Sequence, residues 1–284
     1  MPASRRTTGR LTREQPRASR DHSRGHQLEM NMLLEQTMER LNAMKLLGMA
    51  KAFREWNDAP KKQEVSLADF IGFLADAEWV YRENRKLQLR LSAARFKLQA
   101  CVEDIDYGPA RGLSKSVMLE LSSSRWVQQR QNVILTGHTG LGKSYLACAL
   151  GQKACRDGFS VVYRRVPRLF DELAAARGDG TYATLLKRLA KTNVLVLDDF
   201  GLEALTAQHR KDLLELLDDR YDSGSTIITS QLEPKDWHAV IGDPTLADAI
   251  CDRLVHNAHR IKLGESESIR KTAANLTNRP KQSK

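Results

Sequence analysis

The sequence predicts an α/β fold, a parallel five-stranded sheet flanked by helices, preceded by a small all-α domain. Two observations carry this. From Gln131 onward, short apolar runs alternate with helical stretches, the pattern of a parallel sheet covered by helices. Before that point apolar residues recur only at steps of three to four, the period of an amphipathic helix. No run of the 284 residues approaches 18 consecutive apolar side chains, which argues against a membrane span. The basic N-terminus lacks the apolar core of a secretory signal, so the expected location is the cytoplasm.

In chain order, residues 1–29 read as a basic, disordered tail. Residues 1–28 hold seven arginines against Glu14 and Asp21, an excess of five and half of the chain's formal charge of +10. Residues 30–125 read as a helical N-terminal domain. Leu34, Met38, Leu41, Met44, Met49, Phe53 and Trp56 make one stripe, with Gly48 as its expected weak point. A second helix opens at the cap Ser66 and runs into a basic stretch, Arg82, Arg85, Lys86, Arg90, Arg95 and Lys97. A turn cluster at 104–109 and a short helix at 114–121 follow.

Residues 126–275 form the expected sheet domain, with 276–284 as a disordered C-terminal tail. Strands are predicted at 131–136, 159–164, 193–198, 225–229 and 259–263, and helices at 143–156, 166–177, 181–191, 207–222 and 245–257. The third strand is apolar at nearly every position, as expected of one buried on both faces. The four cysteines, Cys101, Cys148, Cys155 and Cys251, show no C-x-x-C spacing and read as reduced, buried residues with no metal framework.

Gly137-His138-Thr139-Gly140-Leu141-Gly142-Lys143-Ser144 matches G-x-x-x-x-G-K-[ST], with an apolar strand before it and an Ala/Leu-rich helix after it. Glycines let such a loop turn successive N–H groups toward phosphate oxygens, and the helix adds its positive end. Lys143 is the expected partner of the β- and γ-phosphates of ATP. Ser144 is the expected Mg²⁺ ligand, and Tyr145, next on the helix, joins the nucleotide-contacting set. Val194-Leu195-Val196-Leu197 ends in Asp198-Asp199, placing two carboxylates at the strand edge where open α/β sheets bind ligands. Asp198 suits Mg²⁺ through its water shell, and Asp199 is the expected residue to orient the attacking water. Thr229, Ser230 and Gln231 end the fourth strand and are candidates to sense the γ-phosphate, with Ser230 placed among the nucleotide contacts.

Together these residues resemble the IstB/DnaC family of AAA+ ATPases, most closely the IstB-type transposition helpers of insertion sequences. The resemblance rests on Gly137–Ser144, Asp198-Asp199-Phe200-Gly201, residues 227–231, the Leu41–Ala50 region and above all residues 241–255. It covers residues 30–275 and implies an AAA+ P-loop ATPase using ATP and Mg²⁺. It implies that Arg253 is an arginine finger reaching a neighbouring subunit's γ-phosphate, so that the protein acts as a homo-oligomer, and that Arg270 is a sensor-two arginine touching bound nucleotide.

The net charge and a pI near 9.5 favour a polyanionic partner. The family carries an extra helix between the second and third strands that follows the DNA backbone. Arg164, Arg165, Arg168, Arg177, Lys187 and Arg188 are therefore the expected DNA contacts, neutralising phosphates without reading bases. The basic stretch from Arg82 to Lys97 is a second candidate. The function implied is an ATPase that assembles on double-stranded DNA and presents it to an IstA-type transposase. The alternative is a replicative-helicase loader of the DnaC/DnaI type. A P-loop small-molecule kinase fits poorly, because no segment reads as an acceptor pocket or a lid.

Overall fold

The computed structural model describes residues 32–59, 65–107 and 112–264. It divides into two compact units, residues 1–85 and 86–284. The tails predicted at 1–29 and 276–284, and Arg270, lie outside the described residues. No helix among the described residues is long and apolar enough to cross a membrane.

The first unit contains helix α1 (residues 32–43), α2 (Leu47–Asp58) and the start of α3 (Leu67–Ala94). The predicted stripe breaks at Lys45 and not at Gly48. Lys45 adopts a left-handed backbone, φ 59°. The amides of Lys45 and Leu46 return to the carbonyls of Asn42 and Leu41, each at 2.9 Å, which satisfies the end of α1. Gly48 serves a different purpose. A Cβ there would lie 2.6 Å from the Ala77 carbonyl oxygen and 2.7 Å from the Glu78 Cα, so only glycine lets α2 cross α3 so closely.

The crossing brings the buried Glu78 carboxylate to the first turn of α2, where it accepts hydrogen bonds from the amides of Gly48 (2.7 Å) and Met49 (3.1 Å). First-turn amides have no partner within their own helix, so a carboxylate from α3 caps α2. Arg82 Nε donates to the other carboxylate oxygen at 2.7 Å. Burial pushes the Glu78 pKa up, but Arg82 and the two amides outweigh it and leave it below the usual glutamate value. Phe53, Trp56, Phe70 and Phe73 fill the rest of the α2–α3 join, with ring centroids 5.0–6.3 Å apart. Ser66 caps α3 as predicted, its Oγ accepting from the Asp69 amide at 3.2 Å and donating to the Asp69 carboxylate at 2.6 Å.

In the second unit the chain runs α4 (Lys115–Ser122), α5 (Arg125–Gln128), β1 (Asn132–Thr136), α6 (Lys143–Arg156), β2 (Val161–Arg165), α7 (Val166–Gly178) and α8 (Tyr182–Ala190). It continues with β3 (Val194–Phe200), α9 (Ala207–Arg220), β4 (Ser225–Ser230), α10 (Trp237–Ile241), α11 (Pro244–Val255) and β5 (Ala258–Lys262). Each predicted strand and helix from 131 onward lies within two residues of an observed one at both ends. The five strands are all parallel in the order β2-β3-β4-β1-β5, so β3 is an interior strand, as its apolar run requires.

Side chains alternate across the sheet. Val133, Leu135, Val161, Tyr163, Val194, Val196, Ile227 and Ile261 pack toward α6, whereas Ile134, Leu195, Leu197 and Ile228 face α7, α9 and α11. Ala94, Val102, Ile105, Leu121 and Trp126 belong to the α6-side cluster. The compact unit bearing the sheet starts at Lys86, well before the change of sequence pattern at Gln131. Strand–helix alternation marks where a sheet begins, but its apolar cover comes from residues further upstream.

We expect Gly48→Ala to cost about 1–3 kcal/mol through forced separation of α2 and α3. Hydrogen exchange of amides 47–58 should speed up accordingly while the sheet amides keep their protection. Because the Glu78 pKa is lowered in the fold, its contribution is present above the usual glutamate range and is lost as pH falls through the lowered value. Exchange at Gly48 and Met49 should accelerate on that acid side, and Glu78→Gln should remove the pH dependence.

Candidate nucleotide-binding site

The P-loop leaves the C-terminal end of β1 and enters α6. Gly137, Gly140 and Gly142 have φ of 139°, 92° and 88°, a backbone closed to most side chains. A Cβ on Gly137 would also approach the Leu263 carbonyl to 3.0 Å. Lys143, the first residue of α6, is buried, and its ammonium donates to the carbonyls of Gly137 (2.6 Å) and His138 (2.8 Å). Ser144 Oγ donates to Asp198 Oδ1 at 2.8 Å, joining the loop to the end of β3.

Asp198 has no exposed surface. Besides Ser144 it accepts from Thr229 Oγ1 at 2.6 Å and Tyr163 OH at 2.5 Å, and the Lys97 ammonium stands 3.9 Å from Oδ2. Burial, then the hydrogen bond to Asp198, pushes the Tyr163 pKa far above the ordinary phenol value, so this hydroxyl stays a donor. Asp199 occupies a register shift between β3 and β4, with φ 64°. Its amide donates to Thr229 Oγ1 at 3.0 Å, and its carboxylate accepts from Arg165 Nε at 2.8 Å. That hydrogen bond raises the Arg165 pKa and keeps the guanidinium charged.

The two acids and the P-loop thus meet at one sheet edge, as the motifs predict. Thr229 is the strand-end residue between the acids. Ser230, placed by sequence among the nucleotide contacts, is fully buried, and its hydroxyl is spent on the Phe200 carbonyl (2.8 Å) and the Leu232 amide (3.1 Å). The alternation of β4 sends the two neighbours to opposite faces. Beside Gly142 a cavity of about 290 Å³ is lined by Ile105, Leu113, Leu141, Tyr145 and Leu263, with Asp104 and Asp106 in the same wall. Tyr163 and Lys97 are site residues that the motifs do not reveal. Tyr163 has no local sequence signal, and the charge run that includes Lys97 points to DNA instead, because each reaches Asp198 from a distant part of the chain.

Arg253 lies at the far edge of the sheet. Asn132 Nδ2, at the start of β1, donates to the carbonyls of Arg253 (3.0 Å) and Leu254 (3.1 Å), so the end of α11 sits opposite the P-loop. The Arg253 Nε pairs with Asp218, and Nη1 donates to the Ala249 carbonyl at 2.9 Å.

The arginines expected on DNA separate into two groups. Arg165 is bound to Asp199. Arg164 is buried, with Nε on Glu172 (2.9 Å) and Nη1 on the Tyr163 carbonyl (2.8 Å). Arg177 makes two hydrogen bonds to the buried Asp212 and lies 4.0 Å from the Tyr182 ring centroid. Arg168, Lys187 and Arg188 are exposed and have no side-chain partner among the described residues.

A P-loop and a strand-end acid pair on a parallel β2-β3-β4-β1-β5 sheet define a P-loop ATPase of the AAA+ class. The chain belongs to the family of IstB-like ATP binding proteins, whose model matches residues 39–276. It is 52% identical over 240 residues to the insertion sequence ATP-binding protein y4pL of Sinorhizobium fredii, covering 84% of this chain and 98% of that protein. It is 44% identical over 202 residues to the insertion sequence IS1162 ATP-binding protein of Pseudomonas fluorescens, covering 71% and 87%. Among solved structures, AMPPCP-bound DnaA from Aquifex aeolicus superposes with a TM-score of 0.53 at 16% identity, over 67% of this chain and 58% of that one. The DnaI crystal structure does so with 0.50 at 24%, over 58% and 91%. These two likenesses concern the fold alone.

Arg177→Ala should leave the buried Asp212 carboxylate with Tyr182 and Gln208 as its remaining side-chain donors and cost about 1–3 kcal/mol in urea unfolding. Arg168→Ala should leave stability unchanged. Equal effects of the two would contradict the division between spent and available arginines.

Proposed function

We propose that this protein is an ATP-dependent DNA-binding ATPase that oligomerises on double-stranded DNA and assists an IstA-type transposase in target selection and insertion. The observation that carries this reading is the convergence of Lys143, Ser144, Asp198 and Asp199 at one sheet edge. The relatives named for insertion sequences favour the transposition helper over the helicase loader.

In this reading the P-loop amides and Lys143 hold the phosphates. The Ser144 hydroxyl and Asp198 carboxylate offer the hard oxygen ligands that suit Mg²⁺. Bound Mg²⁺ supplies charge neutralisation on the phosphates. Asp199 orients the attacking water, with Arg165 as its counter-ion and Thr229 fixing its backbone. The apolar cavity beside Gly142 takes the base, with Tyr145 in its wall. Arg253 stands at the wrong edge to serve its own P-loop, which supports its acting on a neighbouring protomer. Arg270 completes the nucleotide contacts as the sensor arginine. Phosphate contacts come from Arg168, Lys187 and Arg188. The site of action is the cytoplasm.

Lys143→Ala should abolish ATP binding, read with a fluorescent nucleotide, and with it ATP-dependent association with DNA. Arg253→Ala should bind ATP normally yet turn over roughly a thousandfold more slowly. Mixing the two variants should restore part of the activity, since the Lys143→Ala protomer still lends its finger to an intact P-loop. A mixture as inactive as its components would exclude a finger in trans.

A further inference from the structure

We propose that a groove on the second unit, between the C-terminal end of α3 and the β2–α8 side of the sheet, is the track for a double-stranded DNA backbone. The inference rests on the DNA-binding reading above and adds the place where the phosphates lie. The groove encloses about 710 Å³. Arg90 and Arg95 line it from the end of α3, Arg164 from β2 and Arg188 from α8, with the Ser160 and Thr192 side chains between them. Two basic runs almost seventy residues apart in sequence, each a separate candidate there, meet in one channel.

The chemistry is that of a phosphate binder. Among the described residues no carboxylate lines the groove itself, and Glu172 meets Arg164 from outside it. Arg90 is held by its Nε on the Cys155 carbonyl (2.9 Å), so its guanidinium is fixed in place, whereas Arg164, spent on Glu172 and the Tyr163 carbonyl, only shapes the wall. Pre-ordered guanidinium groups lose little freedom on meeting a phosphate. Arg95 and Arg188 are exposed and have no side-chain partner among the described residues, so their charge is uncompensated. Among the described residues no aromatic side chain lines the groove. Unstacked bases would find no platform there, which favours a duplex held by its backbone over a single strand held by stacking.

The test is anisotropy of a labelled duplex of about thirty base pairs, with a non-hydrolysable ATP analogue and Mg²⁺, across a salt series. The variant is Arg95→Asn with Arg188→Gln; asparagine tolerates the φ of 54° at position 95. Affinity should fall about tenfold or more, and the plot of log affinity against log salt should become shallower by about two. Nucleotide affinity and the unfolding midpoint should stay unchanged. Arg188→Glu alone, on an exposed helix face, should weaken binding in the same direction and serves if the double variant unfolds early.

Wild-type affinity and slope in a folded double variant would overturn the groove while leaving DNA binding intact. If the wild-type protein ignores duplex DNA at every salt concentration, the DNA-binding reading falls and the groove falls with it. Tighter binding of a single strand than of the duplex, lost in the variant, would overturn the duplex assignment.

Discussion

A carboxylate with no access to water must find its hydrogen bonds inside the protein, and Asp198 finds three hydroxyls. Ser144 comes from the first turn of α6, Tyr163 from β2 and Thr229 from β4, so one side chain on β3 is tied to three other elements. Left without donors, such a group would cost several kcal/mol, whereas each hydrogen bond to a charged partner returns roughly 1.5–3 kcal/mol. The site's geometry follows from this arrangement. Ser144 is adjacent to Lys143, so anchoring the serine fixes where the P-loop lysine can stand. Thr229 both donates to Asp198 and accepts from the Asp199 amide, so it sets the distance between the two acids.

Asp199 needs a further device. On a regular strand, consecutive side chains point to opposite faces, and the second acid would be carried away from the first. The register shift between Leu197 and Phe200 breaks that alternation and re-aims the carboxylate. It requires a left-handed backbone at a non-glycine residue, with strain of about 1–3 kcal/mol. The threonine on one side and Arg165 on the other hold it there. A residue kept in such a conformation beside a P-loop is placed for chemistry more readily than for stability.

What the sequence reveals and what it hides divide along one line. The strands, the helices after 131, the P-loop and the acid pair are all local patterns, in which a few neighbouring residues carry the whole signal. The capping of α3 by Ser66 is equally local. Partnerships between distant positions are not legible. Six basic residues between 164 and 188 look alike as a run of charge, yet Arg177 is spent on a buried aspartate 35 residues away in sequence, on α9, and Arg165 on the site itself. Gly48 reads as a helix breaker until α3 is seen to cross it within contact distance of its backbone. Thr229 and Ser230 could be told apart only once the register fixed Leu197 opposite Ile228.

The placement of Arg253 constrains how copies of the chain can meet. On the proposed reading a protomer carries half of one site at the P-loop edge of its sheet and half of another at the opposite edge. A two-fold dimer pairs like surfaces with like and would join such edges only by folding the same patch back on itself. Completing each site from a neighbour instead demands head-to-tail contacts, which close into a ring or continue as a helix. The Arg253–Asp218 pair does not oppose this. Both side chains are partly exposed, at 29% and 46% of their surface, and such pairs are worth at most about 1 kcal/mol. A neighbouring triphosphate presents more negative charge than one carboxylate, so drawing the guanidinium away from Asp218 costs little compared with what the new contact returns.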